Sequence, residues 1–289
     1  MSQTVNDNYP KKDSAGMSDE QIKQLAIQNM QRQEVHNSGF PTEIISLPSK
    51  GLVYSESSPL YDGQIEMKYM TAREEDILTS QNLIKQGIVL DKLMQSMIVS
   101  PINFNDLVIG DKNAIMVAAR ILGYGKEYPV EITCPNCEHK NKDTVDLTTL
   151  PEVNLPDDII MPAPGVFEYT LPQSNRVIHF RLLTTGIDKQ ISKELEISKK
   201  TNRNSGIDNE LTTRLKFIIV SVDGNADKKY ISNFVDNELF AIDSRAFRSY
   251  MKQISPDVKF EFAFSCSECG HEEEALGFTI DTTFFWPKI

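Results

Sequence analysis

The strongest constraint on the fold of this 289-residue chain is a pair of C-x-x-C motifs that lie far apart in the sequence. Cys134 and Cys137 form the first pair, and Cys266 and Cys269 form the second. Two thiolates cannot complete a tetrahedral zinc site, whereas four can. If one metal ion binds both pairs, the two regions must be neighbours in space, and the residues between them form an insertion.

The sequences around the two pairs are alike. The segments YPVEITCPNCEHKNKDTVDL and VKFEFAFSCSECGHEEEALGF each predict a strand, a tight turn and a second strand. This is the layout of a zinc ribbon, in which two cysteine-bearing turns, here called knuckles, share one structural Zn²⁺. Four thiolates leave no open coordination position, so the sequence predicts a structural metal ion rather than a catalytic one.

The sequence leaves other uses of the cysteines open. A disulfide, a redox pair or free thiols are alternatives, although neither pair lies at a strand-to-helix junction as a thioredoxin-like motif does. Iron is an alternative to zinc. His139 and His271 each follow a pair by two residues. Each could replace a cysteine as ligand or donate to a sulfur, or could simply be exposed.

Charge and motif content argue against two classes of function. The formal net charge is −11, and a protein this acidic repels the phosphate backbone of nucleic acids. No phosphate-binding loop, dinucleotide fingerprint, H-E-x-x-H or G-x-S-x-G motif is present. Glu74, Glu75 and Asp76 form a carboxylate cluster, but they lie in the first turn of a predicted helix, where acidic side chains complement the helix dipole. We expect no enzyme and no small-molecule substrate, and the charge disfavours a nucleic-acid partner.

The amino-terminal sequence has no apolar core of a signal peptide, and no window is apolar enough to span a bilayer. A reducing cytosol is therefore expected, where closely spaced cysteines bind metal more often than they form disulfides.

The periodicity of the chain predicts an α+β fold with three parts. Residues 1–38 are predicted to be a flexible partner-binding arm, residues 39–127 a compact α+β domain, and residues 128–289 a zinc-ribbon domain with an inserted hairpin and helices at about 165–255. In the arm, a helical stripe that includes Ile22, Leu25 and Met30 is a candidate partner-binding surface; a frayed tail is the alternative. At the other end, Phe284, Phe285 and Trp286 are either a partner-binding anchor or side chains that pack under the ribbon.

Four local predictions can be compared with the structure. The segment TAREEDILTSQNLIKQG predicts one helix that begins after Thr71 and stops at Gly87. A second helix is predicted to end at Gly123 and to carry Arg120 as a salt-bridged surface residue, with a substrate-binding arginine as the alternative. FEYTLP and RVIHFRLLT predict a hairpin. Residues 186–255 are predicted to be helical, with a polar loop at TNRNSG and with DNELTTRLKFIIVSV as one of the helical segments.

Several stretches together resemble a known family. They are LPSKGLVY, IEMKYMTAREEDILTS, GDKNAIMVAARILGYGKEYPVEITCPNC and CGHEEEALGFTIDTTFFWP. They are similar to baseplate proteins of T4-like contractile-tailed phages, a family that includes hub subunits and hub-assembly factors. The resemblance covers about residues 40–289 and is weaker over 186–255.

The resemblance implies a non-enzymatic structural protein of the virion tail baseplate, made in the host cytoplasm and bound to other tail subunits. It supplies no catalytic residues. It leaves open whether the chain stays in the virion or acts only as an assembly chaperone. A zinc-ribbon nucleic-acid-binding module is the remaining alternative.

Overall fold

The computed structural model describes residues 40–201, 209–278 and 282–285, which form a mixed α+β fold. The strands are β1 (Thr42–Ser46), β2 (Gln64–Lys68), β3 (Glu127–Thr133), β4 (Lys140–Asp146), β5 (Glu152–Val153), β6 (Val166–Thr170), β7 (Val177–Arg181), β8 (Ile219–Val222), β9 (Asp257–Val258), β10 (Glu261–Ser265) and β11 (Glu272–Gly277). The α-helices are α1 (Ala72–Thr79), α2 (Gln81–Lys85), α3 (Val89–Met97), α4 (Ile109–Tyr124), α5 (Thr185–Thr201), α6 (Glu210–Ile218), α7 (Lys228–Asn233) and α8 (Ala241–Ile254).

All pairing between these strands is antiparallel. Four two-stranded sheets form, β1–β2, β3–β4, β5–β9 and β10–β11, together with one three-stranded sheet in the order β6–β7–β8. In β2, Ile65 and Met67 are buried and alternate with polar residues, which is the pattern of a half-buried strand.

The helix predicted from Thr71 to Gly87 is divided in two. It begins as expected, because the backbone N–H of Thr71 donates to the carboxylate of Glu74 at 3.0 Å. At Ser80 the backbone is extended, with ψ of 105°, and α2 starts afresh. The hydroxyl of Thr79 donates to backbone carbonyls of the preceding turn, and such bonds compete with helix continuation.

Arg120 on α4 is not the salt-bridged surface residue that was predicted. It is 1% exposed. Its guanidinium donates to three backbone carbonyls, those of Phe284 at 2.9 Å, Gly125 at 2.8 Å and Glu127 at 3.2 Å. The helix itself ends at Gly125, with φ of 84°, rather than at Gly123. One buried side chain therefore joins the end of α4, the start of β3 and the carboxyl-terminal segment.

The predicted hairpin is confirmed as β6 and β7, with Phe167 opposite Phe180. The prediction that DNELTTRLKFIIVSV is helical to its end is wrong. After Ile218 the chain becomes β8, which pairs with β7. The sequence IIVSV is rich in β-branched residues, and this sheet buries it: Val222 is fully buried. The edge of β7, about 40 residues earlier in the chain, therefore decides that this segment is a strand rather than a helix.

A short pair of strands closes the base of the insertion. β5 follows the first cysteine hairpin, β9 precedes the second, and Glu152 lies opposite Val258. β9 in turn lies against α4: a Cβ on Gly110 would come within 1.7 Å of the Pro256 carbonyl oxygen. This close approach requires glycine. The pairing of β5 with β9 brings the two cysteine hairpins together independently of their sulfurs.

Two hydrophobic clusters hold the chain together. The larger includes buried side chains from both sides of residue 127, for example Leu93, Ile115, Phe180 and Phe247. The smaller is made of Cys134, Phe264 and Cys266. The described residues from Thr42 onward form one compact unit, and the division into domains at residue 127 stays a prediction.

The aromatic residues near the carboxyl terminus lie inside the fold. Phe284 and Phe285 are fully buried, and the ring of Phe284 meets that of Tyr128 at 5.0 Å in an edge-on arrangement. Because both rings are covered by the chain itself, partner contact has no support at these two positions, and the packing alternative describes them. Ile22, Leu25, Met30 and Trp286 lie outside the described residues.

None of the helices in the described ranges has both the length and the apolar character needed to cross a membrane.

Candidate metal centre

Two antiparallel hairpins carry the cysteines. β3 and β4 form the first hairpin, with the first knuckle between them, and β10 and β11 form the second in the same way. The predicted strand–knuckle–strand arrangement is therefore present twice. The hairpins contribute Ile132, Phe262 and Leu276 to the small cluster around Cys134, Phe264 and Cys266.

The two knuckles have the same hydrogen bonds. In the first, the N–H of Cys134 donates to the His139 carbonyl at 2.8 Å, and that of Glu138 donates to the Cys134 carbonyl at 2.9 Å. In the second, Cys266 donates to His271 at 2.8 Å and Gly270 to Cys266 at 3.0 Å.

Each knuckle also needs one residue in the left-handed region. Glu138 has φ of 59° and Gly270 has φ of 67°. Glycine adopts this conformation without strain, whereas glutamate does so at a cost. Equal backbone geometry from different sequences indicates that the turn is set by its cysteines.

The four sulfurs form a compact tetrad. The Sγ atoms of Cys134 and Cys269 are 3.8 Å apart, those of Cys137 and Cys266 are 3.7 Å apart, and all four lie within 4.8 Å of one another. A tetrahedral zinc ion with Zn–S bonds of about 2.3 Å sets its sulfurs about 3.8 Å apart. The spacing therefore fits a metal ion at the centre, and it exceeds the roughly 2 Å of a disulfide bond.

The tetrad is buried on one side and open on the other. Cys134 and Cys266, the first cysteines of their knuckles, are 1% and 3% exposed, whereas Cys137 and Cys269 are exposed. Each buried sulfur lies beside an exposed one of the other knuckle. The arrangement has approximate two-fold symmetry and gives a metal ion access from solvent.

Neighbouring backbone N–H groups and sulfurs shift the pKa values of the thiols. The backbone N–H of Cys269 leads the groups that lower the pKa of Cys266, to about 6. At Cys137 the N–H of His139 lowers the pKa, but the neighbouring sulfurs, led by that of Cys269, outweigh it and raise the pKa to about 12. Crowded thiols resist full ionisation because thiolates repel. A divalent cation offsets that repulsion, so the donor set fits a metal ion.

The histidines take part through their backbones alone in this geometry. The group of side chains able to hold a metal ion contains the four cysteines and neither His139 nor His271. Their carbonyls close the knuckles, and the side chain of His139 is exposed.

Two residues near the sulfurs were missed from sequence. The amide nitrogen of Asn141 lies 3.5 Å from the Cys266 sulfur, and that of Asn136 lies 3.6 Å from the Cys269 sulfur. Asn141 and Val145 lie on the same face of β4, and both are buried. An asparagine on the inward face of a strand was the available signal.

Comparison with known proteins identifies the family. The family model described as T4 bacteriophage base plate protein matches residues 47–286. The chain belongs to this base plate family. The match includes both knuckles and the segment between them, so the tetrad lies inside the family's region. No curated protein and no solved structure matches the chain.

Membership of the base plate family implies a location in the phage tail and interaction with other tail proteins. The tetrad is compatible with a metal site in such a protein.

Proposed function

We propose that this base plate protein is a non-enzymatic structural component of a contractile phage tail, with one structural zinc ion bound by Cys134, Cys137, Cys266 and Cys269. The observation that carries the proposal is the family match over residues 47–286. The sulfur tetrad supports the metal site, because four ligands at tetrahedral spacing leave no position for a substrate.

The zinc ion would hold the knuckle ends of the two hairpins, which lie away from the large hydrophobic cluster. The hydrophobic cluster between them has Phe264 as its one large buried side chain, and an isolated two-stranded hairpin is marginally stable in water. Structural zinc in small domains contributes about 10–16 kcal/mol of apparent binding free energy. Such an ion keeps the surface formed by the hairpins rigid, which suits a subunit that must fit against neighbours.

Docking is proposed to use the arm, residues 1–38, and the folded surface. The apolar stripe with Ile22, Leu25 and Met30 supports this part of the proposal on sequence alone. An isolated helix cannot bury its own apolar stripe, whereas a groove on a partner protein can cover it.

Metal analysis tests the zinc site. The purified full-length chain should contain one zinc ion per molecule by inductively coupled plasma mass spectrometry. A Cys266→Ser variant should contain less than about a tenth of that, since a three-thiolate site binds more weakly. A wild-type chain purified without chelators that carries no metal would contradict the site.

Proteomics of particles tests the structural role. Mass spectrometry of purified virions should find the chain in stoichiometric amounts with other tail proteins. A chain that is abundant in infected cells and missing from virions would instead identify an assembly chaperone, the alternative that the family leaves open.

A further inference from the structure

Asn141 is a buried polar side chain of β4 that touches both hairpins. It is 6% exposed. Its amide nitrogen donates to the Cys266 sulfur at 3.5 Å and to the backbone carbonyl of His139 at 3.1 Å. Both amide hydrogens are thereby used, one within the first hairpin and one on a ligand atom of the second knuckle.

The amide oxygen of Asn141 completes the connection. It accepts from the backbone N–H of Ser267 at 3.0 Å and from the Ser267 hydroxyl at 2.9 Å. Ser267 follows Cys266 directly, so one side chain of the first hairpin holds the sulfur and the adjacent backbone of the second. Because the amide is buried, water replaces these bonds poorly, and each one lost costs more than an exposed bond.

The connection is asymmetric although the two knuckles are alike. Asn141 lies two residues after His139, and the corresponding position after His271 is Glu273. An ionised carboxylate only accepts hydrogen bonds and cannot donate to a thiolate. Only one of the two hairpins therefore carries this donor.

From this geometry we infer that Asn141 is the positioning residue of the metal centre, which fixes the register of the two knuckles and donates a hydrogen bond to a ligand sulfur. The inference rests on the proposed four-thiolate site. Groups that orient metal ligands typically contribute a factor of about 10–100 in metal affinity. The hydrogen bond to sulfur also lowers the energy of the sulfur lone pairs. The sulfur-to-metal charge-transfer band of the metal complex therefore reports whether the bond is present.

A matched control is available in Asn136. Its amide nitrogen also donates to a sulfur of the second knuckle, that of Cys269 at 3.6 Å, but the residue is exposed. Water competes for this bond, so its loss should matter less. The two residues share their type, donor atom and kind of acceptor, and they differ in burial and in the bonds to Ser267.

The experiment uses the full-length chain and four variants, Asn141→Asp, Asn141→Ala, Ser267→Ala and Asn136→Ala. Zn²⁺ affinity is measured by competition with a chromophoric chelator, and Co²⁺ loading is followed through its d–d and sulfur-to-cobalt charge-transfer bands. Asn141→Asp keeps oxygens that accept from Ser267 but sets a carboxylate against the Cys266 thiolate.

We expect both Asn141 variants to bind Zn²⁺ about 10–100-fold more weakly than wild type. At saturation their d–d bands should stay those of a four-thiolate site, while the charge-transfer band moves to longer wavelength. Ser267→Ala should weaken binding without moving that band, since it leaves the bond to sulfur in place. Asn136→Ala should change affinity less than about threefold.

Circular dichroism of each apo variant confirms that the main fold is retained, which separates loss of positioning from loss of folding. Asn141 variants with wild-type affinity and an unmoved charge-transfer band overturn this inference alone. A wild-type chain that takes up neither metal overturns the proposed site and this inference with it.

Discussion

The body of the protein and its cysteine hairpins are stabilised in different ways. In the body, rings such as Phe167, Phe180 and Phe247 are fully buried in one continuous cluster. At the knuckle ends of the hairpins, the buried cluster consists of one phenylalanine and two cysteines, whereas Val145 at the other end of β4 belongs to the large cluster. Burial of a large aromatic side chain stabilises a fold by a few kcal/mol, so the body has many such contributions and the knuckle ends of the hairpins have about one. With the proposed metal ion, four sulfurs would stabilise a region that has little hydrophobic core of its own.

Metal removal should produce the largest difference between the two regions. Chelation, or Cys269→Ser, is expected to remove on the order of 10 kcal/mol from the hairpins, while the body stays folded on its own core. Hydrogen exchange should speed up over residues 127–146 and 261–277 and stay slow in α4 and α8.

His139→Ala is the control for metal removal, because this exposed side chain lies outside the tetrad. Its exchange pattern should match wild type. If chelation left the hairpins as protected as before, the metal would not be what stabilises them.

The converse prediction removes a ring from the body. Phe247 is fully buried and meets Phe180 edge-on at 4.9 Å. Phe247→Ala should lower the free energy of unfolding by about 3–5 kcal/mol and leave zinc affinity unchanged, as measured by urea denaturation and chelator competition. The control is Phe240→Ala, at a residue 53% exposed, with an expected change within about 0.5 kcal/mol. A parallel fall in zinc affinity would mean that the two regions are not independent.

Arg120 links the two regions, and its removal should affect both. Arg120→Ala leaves the carbonyls of Gly125, Glu127 and Phe284 without their donor, which should cost about 3 kcal/mol in urea denaturation. Exchange should also rise at the start of β3. Exposed Arg245 is the control, and Arg245→Ala should change neither quantity. An unaffected β3 would show that the hairpin does not depend on this guanidinium.

The smallest expected effect is a pH dependence confined to the body. Burial raises the pKa of Glu74. Hydrogen bonds led by those from Thr71, Lys68 and Ser96 lower it by a larger amount, so the pKa is about 2. The folded-state pKa lies below the ordinary value of 4.5. Ionised Glu74 therefore stabilises the fold above about pH 4.5, and this contribution is lost as the pH falls toward 2.

Glu74→Gln should accordingly cost about 2 kcal/mol at pH 7 and flatten the loss of stability between pH 4.5 and 2, measured by thermal melts across that range. Asp76→Asn, at an exposed residue two positions after Glu74 in α1, should keep the wild-type profile. A Glu74→Gln profile parallel to wild type would contradict the lowered pKa.

The sequence was informative where structure is decided locally. Each knuckle follows from a C-x-x-C pair between two short strands, so the tetrad could be predicted from the repetition of one local pattern. The capping interaction at Thr71 and the hairpin of β6 and β7 are local in the same way.

The sequence was uninformative where a distant segment of the chain determines the conformation or the burial of a residue. β8 was predicted as helix because its pairing partner, β7, lies far earlier in the chain. The burial of Arg120 depends on the carbonyl of Phe284, 164 residues away. The link from Asn141 to Ser267 spans 126 residues. Periodicity reports which face of an element is apolar, but not which other element will cover it.

The distance along the chain between the knuckles also sets an order of events during synthesis. At about 5–20 residues per second, a ribosome that has released Cys137 needs on the order of ten seconds more to release Cys266, 129 residues later. Until then the nascent chain offers two of its four sulfurs. A product truncated before the second hairpin can never assemble the tetrad, so a completed centre marks a chain that was translated at least to Cys269.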